Sequence, residues 1–292
     1  MAAIPPNMSS HINFIADLPK YKVEKPFFFH HSVTANLDVE EKKATDNLTL
    51  LPQPVKISSM RDNDNISLDR NGFCYIQHQS KYLPGSAISL ELRTLYAKET
   101  EELLTSSFNA ELAFCYDVKL RSNSPEGNGA YELGHPLFVE NTVAFPHSDI
   151  SLASASPEIK GLLDEDQLKT YSQPGYRFRL INTWRSLLPK CEDRPLVLCD
   201  YSSLDMDDLV ATDRVRPNRS KELYILKYSQ SQQWYWLPDQ RSDELFMFLV
   251  YDSLSDGNAR LCPHTSVDNP LAPIDAPPRE SVETRTLVIT KM

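Results

Sequence analysis

Glycine is scarce in this chain, 8 in 292 residues against 21 prolines. So few glycines argue against a nucleotide-binding architecture of Gly-rich loops, and so many prolines suit short strands joined by rigid loops. The five cysteines (Cys74, Cys115, Cys191, Cys199 and Cys262) are widely spaced and include no Cys-x-x-Cys. An odd, dispersed set is neither a disulfide framework nor a zinc site; it fits free thiols in a reducing compartment. Positive charge is also short, with 30 Lys and Arg against 40 Asp and Glu and a net charge of −10. A nucleic-acid groove needs clustered cations and is disfavoured, as is attachment to an anionic membrane surface. No apolar run approaches a membrane span. Residues 1–18 lack the basic region and apolar core of a secretory leader. Cytoplasm is the expected compartment, where the glycosylation-like triplets Asn47-Leu48-Thr49 and Asn65-Ile66-Ser67 mean little. A small molecule is the expected partner; composition says nothing of oligomeric state.

What is present reads as one domain over 1–292, long enough to bury a substantial core. Residues 1–60 are expected to be a loop-rich extension packed on that core, since Pro5, Pro6, Pro19, Pro26, Pro52 and Pro54 break any long helix. Phe27-Phe28-Phe29 would anchor it. Asn71-Gly72 signals a turn into a buried strand, Phe73-Cys74-Tyr75-Ile76. From Ser89 to Ser107, leucines at 90, 92, 95, 103 and 104 recur among Glu and Lys, which predicts an amphipathic surface helix. Residues 121–135 predict a turn-rich loop. Ser156 is expected to cap a short helix opening at Pro157-Glu158. Beyond it, Tyr176–Trp184, Pro195–Asp200, Glu222–Tyr228, Gln233–Leu237, Glu244–Tyr251, Arg260–Val267 and Ser281–Ile289 are rich in aromatic or β-branched residues and predict strands. The expected fold class is mainly β: a distorted double-stranded β-helix, a cupin-like jelly roll over 70–290, with flanking helices.

Chemistry concentrates in an ordered set of residues. His147-Ser148-Asp149 places two ligating side chains on one face of a strand, and His264 follows far downstream. Two imidazoles and a carboxylate can hold one face of an iron(II) ion and leave positions open for oxygen. With seven His, about one His-x-Asp/Glu is expected by chance, so the order along the chain carries the argument. Arg279 and Ser281 come next, spaced to grip the far carboxylate of 2-oxoglutarate, the guanidinium through two parallel hydrogen bonds. Arg285 is a rival for that task, about 20 Å further along a strand at about 3.3 Å per residue. Spacing from His264 favours Arg279 and leaves Arg285 to pair with a surface acid. The alternative reading, from another class, is a non-catalytic jelly-roll binding protein in which these His and Asp residues are structural.

Tyr176, Phe178, Leu180, Asn182 and Trp184 alternate to one side of a predicted strand. A buried amide must find partners, so Asn182 is a candidate contact to co-substrate or substrate, with a structural brace as the alternative. Trp184 is expected to shape the pocket. Arg185 faces outward unless a bulge turns it in, where it would join the substrate pocket. For Trp234-Tyr235-Trp236, core packing is the favoured role.

These motifs together resemble a fungal family of non-haem iron(II)/2-oxoglutarate-dependent oxygenases, of the aspergillic-acid hydroxylase, gibberellin desaturase and cephamycin methoxylase type. The resemblance rests on Arg179 through Arg185, Pro195 through Tyr201, Trp234-Tyr235-Trp236, Asp243-Glu244, Tyr251-Asp252-Ser253, Pro263-His264-Thr265 and Pro277 through Arg285. It covers about residues 70–290. It implies iron(II), 2-oxoglutarate and O2, with His147, Asp149 and His264 on the metal, and a metabolite of secondary metabolism as substrate. Hydroxylation, desaturation and ring closure all occur in that family. The leading expectation is oxidative C–N bond formation, giving an aziridine, on a valine-like amino acid. The alternative is hydroxylation or desaturation of a terpenoid or alkaloid.

Overall fold

The computed structural model describes the whole chain except residues 1–6, 30–44, 62, 85–88, 125–134, 136, 217–218 and 255. The strands β1 (Asn7–Ile15), β2 (Phe27–Phe29) and β3 (Leu50–Ser59) come first. A short helix α1 (Leu68–Asn71) leads into β4 (Phe73–Gln77), and α2 (Leu90–Phe108) into β5 (Leu112–Ser122). Next are β6 (Val139–Asn141), β7 (His147–Ser148), and the helices α3 (Leu152–Leu162) and α4 (Glu165–Tyr171). The second half is almost all strand: β8 (Tyr176–Ser186), β9 (Leu196–Cys199), β10 (Leu209–Arg216) and β11 (Arg219–Leu226). It ends with β12 (Trp234–Trp236), β13 (Glu244–Asp252), β14 (His264–Ser266) and β15 (Glu280–Lys291).

Two sheets make the jelly roll. The larger runs β1-β3-β12-β9-β14-β7-β11-β10-β2 and the smaller β4-β13-β8-β15-β5-β6. Period-two alternation assigns each strand's faces. On β9, Leu196 and Leu198 pack between the sheets with Phe246, Phe248 and Trp184, while Val197 and Cys199 join Phe14, Trp234 and Trp236 on the other side. On β8, Leu180 meets α3 residues Ala155 and Ile159 in one cluster, and Ile181 meets Leu104 of α2 in another. Helix α2 thus covers the outer face of the smaller sheet and leaves its inner face to the site. No helix among the described residues is long and apolar enough to cross a membrane.

Most predicted elements appear near their expected bounds, and Ser89 caps α2 by accepting from the Leu92 N–H. The differences have local causes. Residues 1–60 are more than loop, because β1 and β3 pair over nine residues and extend the larger sheet. Pro52 and Pro54 are tolerated because β12 pairs only with Ile57, Ser58 and Ser59, so at the prolines β3 has a ladder on one side only. Ser151 rather than Ser156 caps α3, and Pro157 sits inside that helix, removing one internal hydrogen bond from a helix already held by its buried Ala155 and Ile159. The strand around His264 starts only at that residue, since Pro263 cannot donate to the ladder. Strands β5 and β10 lie outside the sequence expectation. Most of the predicted 121–135 loop lies outside the described residues.

Candidate iron and co-substrate site

His147 and His264 face each other in register across β7 and β14, with ring centroids 4.5 Å apart. Each Nδ1 lies 3.0 Å from a backbone carbonyl, of Phe145 and of Cys262 respectively. A carbonyl only accepts, so both Nδ1 atoms carry the proton and both Nε2 atoms are left as lone-pair donors. Burial, then the neighbouring His264, push the His147 imidazole down to about 3. It is therefore neutral near pH 7, the form that ligates a metal. Asp149 follows β7 immediately, and one ligating atom from each of His147, Asp149 and His264 lies within 4.8 Å of the others. All three residues are buried.

The carboxylate of Asp149 is held from the smaller sheet. Asn182 on β8 donates from Nδ2 to Oδ2 at 2.7 Å, and Arg285 on β15 donates from Nη2 to Oδ1 at 2.7 Å. Burial opposes the Asp149 charge, but Arg285 and the two histidines outweigh it and hold the carboxyl well below its ordinary range. Arg285 is thus not the surface cation expected from the sequence. It is buried, and besides Asp149 it pairs with Glu283 at 3.2 Å. Asn182 reaches the cluster by its hydrogen bond to Asp149, and its own Oδ1 has no partner.

Arg279 sits just before β15, almost fully buried, with its guanidinium 5.4 Å from the Trp184 ring and Nη1 donating to the Arg194 carbonyl at 3.0 Å. Burial lowers it to about 10, so it keeps its charge at neutral pH. Its Nε and the Ser281 Oγ are buried without a hydrogen-bond partner. Orphaned donors of this kind are what a carboxylate would satisfy. The free space there is only ≈20 Å³, lined by Trp184, Arg279, Ser266 and both histidines, about the room of one water. Admitting a keto acid requires those side chains to part.

Arg185 does not enter the site. Its guanidinium donates to the carbonyls of His78 and Ser242 at 2.8 and 3.1 Å and lies near the Tyr96 ring of α2. No bulge interrupts β8 opposite Glu283 and Val282, so the alternation holds and residue 185 points away from the face that carries Asn182 and Trp184.

A second cavity, ≈460 Å³, opens beside Asp149 and Arg285. Leu180, Val250, Ile150 and Leu162 form an apolar wall. Besides Tyr116, Val118, His135 and Phe138 the remaining lining is strongly charged, with Arg93, Lys119, Arg214, Arg216, Lys221 and Arg285 against the carboxylates of Asp117, Glu140, Asp149 and Glu158. The molecule's net negative charge gave no warning of this cationic excess. Arg214 and Arg216 belong to β10, and the alternation Thr212, Arg214, Arg216 was the available signal.

A family model described as an oxidoreductase/YMDC permease-like domain matches residues 12–289. The chain is 26% identical over 255 residues to the alpha-ketoglutarate-dependent dioxygenase phiK of Fungal sp. (strain ATCC 74256), covering 86% of this chain and 88% of that one. It is 28% identical over 257 residues to the Fe(II)/2-oxoglutarate-dependent dioxygenase nvfI of Aspergillus novofumigatus, covering 83% and 85%. The solved structure of the iron and alpha-ketoglutarate-dependent endoperoxidase NvfI superposes with a TM-score of 0.77 at 24% identity, over 98% of this chain and 99% of that one. The structure of a tryptophan-to-phenylalanine variant of that endoperoxidase gives 0.79 at 23%, covering both chains fully. With nearly its whole length matched, this chain belongs to that oxidoreductase family, among the fungal iron(II)/2-oxoglutarate-dependent oxygenases.

Proposed function

We propose that His147, Asp149 and His264 hold iron(II), that Arg279 and Ser281 hold the far carboxylate of 2-oxoglutarate, and that the substrate enters from the ≈460 Å³ cavity. The observation that carries this reading is the approach of three buried ligating atoms to within 4.8 Å of one another. Its supports are the two imidazoles with Nδ1 already engaged by backbone carbonyls and the partnerless Arg279 Nε and Ser281 Oγ. When bound, the iron and keto acid supply oxidation: O2 and 2-oxoglutarate give succinate and carbon dioxide as the substrate loses two electrons. The chain's part is to orient. Asn182 and Arg285 fix the Asp149 carboxylate, Trp184 walls the co-substrate side, and Leu180 and Val250 present an apolar surface that keeps water from the reacting carbon.

The finer reading is oxidative C–N bond formation on a valine-like amino acid, for which the apolar wall beside a cationic lining supplies complementary surfaces. The second reading, hydroxylation or desaturation, draws on relatives named hydroxylase/desaturase, among them efuI of Hormonema carpetanum at 26% identity. Anaerobic addition of iron(II) and 2-oxoglutarate should give the weak visible band of a keto-acid chelate, lost in His147→Ala, Asp149→Ala and His264→Ala without loss of fold. No band and no iron uptake by the parent protein would discard the metal assignment. Incubation with valine, isoleucine and analogues should release succinate with a product two hydrogens lighter for ring closure or one oxygen heavier for hydroxylation. Succinate release with terpenoids or alkaloids alone would discard the amino-acid reading.

A further inference from the structure

The charges around the ≈460 Å³ cavity are mostly spoken for. Lys221 pairs with Glu158, Lys119 with Glu140, Arg93 with Asp117 at 3.4 Å and Arg285 with Asp149 at 2.7 Å. Arg214 stands apart. Among the described residues its guanidinium makes no hydrogen bond or ion pair, and its Nε is buried without a partner. Its strand neighbours explain why: Asp213 on the other face is taken by Lys25 at 2.5 Å, and Lys221, paired across from it on β11, is itself a cation. A desolvated guanidinium with empty donors is costly unless something anionic arrives. The same cavity is lined by Leu180, Val250, Ile150 and Leu162, which pack together in one apolar cluster.

We infer that Arg214 is the anchor for a carboxylate carried by the substrate, so that this oxygenase takes small acids whose apolar portion lies on the Leu180–Val250 wall. The inference rests on the oxygenase reading for the identity of the cavity as the substrate site. Its separate content is that Arg214 serves the substrate while Arg279, lining the other cavity, serves 2-oxoglutarate. Burial lowers Arg214 to about 10, which leaves it charged at neutral pH.

The test uses the protein with iron(II) and saturating 2-oxoglutarate under nitrogen, and measures binding of matched acids and primary amides by calorimetry: valine and valinamide, isoleucine and isoleucinamide, 3-methylbutyrate and its amide. The acids should bind about 10- to 100-fold more tightly than the amides, the range expected for a charge-assisted contact. Arg214→Gln should abolish that preference, Arg214→Lys should keep part of it, and 2-oxoglutarate affinity should change in neither. Equal binding of acid and amide, no acid binding at all, or a preference surviving in Arg214→Gln overturns the inference. So does weakened 2-oxoglutarate binding, which would make Arg214 the co-substrate's anchor. If the parent protein binds no iron, the oxygenase reading fails on its own, and the same acid–amide comparison on the metal-free protein still decides the role of Arg214.

Discussion

Asn182 and Arg285 lie directly opposite each other on β8 and β15, and each holds one oxygen of Asp149 at 2.7 Å. The carboxylate is therefore fixed from two adjacent strands of one sheet while the two histidines come from the other. The site sits at the seam of the jelly roll, and the register of a single strand pair determines whether its carboxylate points the right way.

Loss of either partner should loosen Asp149 rather than empty the co-substrate site. Asn182→Ala and Arg285→Ala are expected to weaken iron(II) binding by about 10- to 100-fold, the usual range for groups that orient a metal ligand. Metal titration followed by intrinsic fluorescence measures this. An unchanged iron affinity in both variants would show that Asp149 needs no brace.

Arg279→Ala should act differently. Removing a buried guanidinium from a carboxylate is expected to cost on the order of 2–5 kcal/mol of 2-oxoglutarate binding, with iron affinity preserved. Calorimetric titration of the iron(II) protein with 2-oxoglutarate under nitrogen separates the two arginines. Should Arg285→Ala lose co-substrate and Arg279→Ala keep it, the roles are reversed.

Glu244, which is none of the candidate metal ligands, gives a pH dependence of its own. It is fully buried, and Arg61 Nη2 donates to it at 2.9 Å and the Arg241 backbone N–H at 2.8 Å. Burial pulls its pKa up, but those hydrogen bonds prevail and hold it below the ordinary 4.5. A carboxyl with a depressed folded-state pKa stabilises above its unfolded value, and that contribution vanishes as pH falls through the folded one. Glu244→Gln should therefore be less stable than the parent at pH 7 and show a shallower loss of stability below about pH 4.5. Urea midpoints from about pH 3 to 7 test it; parallel curves for the two proteins would contradict the assignment.

Gly72 closes α1 at φ 86°, a left-handed conformation in which a side chain is strained. A Cβ there would lie 2.8 Å from the Leu261 carbonyl oxygen. Gly72→Ala should destabilise by more than about 1 kcal/mol, read from the denaturation midpoint, whereas Gly161→Ala, inside α3 with nothing within 4 Å, should not destabilise. Equal midpoints for the Gly72 variant and the parent would refute the strain.

Local rules made much of this molecule legible from its residues. The helix over α2 was legible, although its buried stripe is Tyr96, Thr100 and Leu104 and of the five leucines only Leu104 is buried; the aromatic and β-branched runs specify β8, β9, β11, β12, β13 and β15. That His147 and Asp149 approach one another could be read because side chains two apart on a strand share a face whatever the rest of the chain does. Alternation sets the relative phase of neighbouring side chains, so it also separated Asn182 and Trp184 from Arg185. What alternation lacks is an absolute direction and a partner. Only the closure of the two sheets brought Arg285 onto Asp149, seated Arg185 under α2 with His78, and left Arg214 facing a cavity without a hydrogen-bond or ion-pair partner among the described residues. Each of these depends on a contact between residues far apart in sequence, and the energy of a buried charge is decided by what lies across from it.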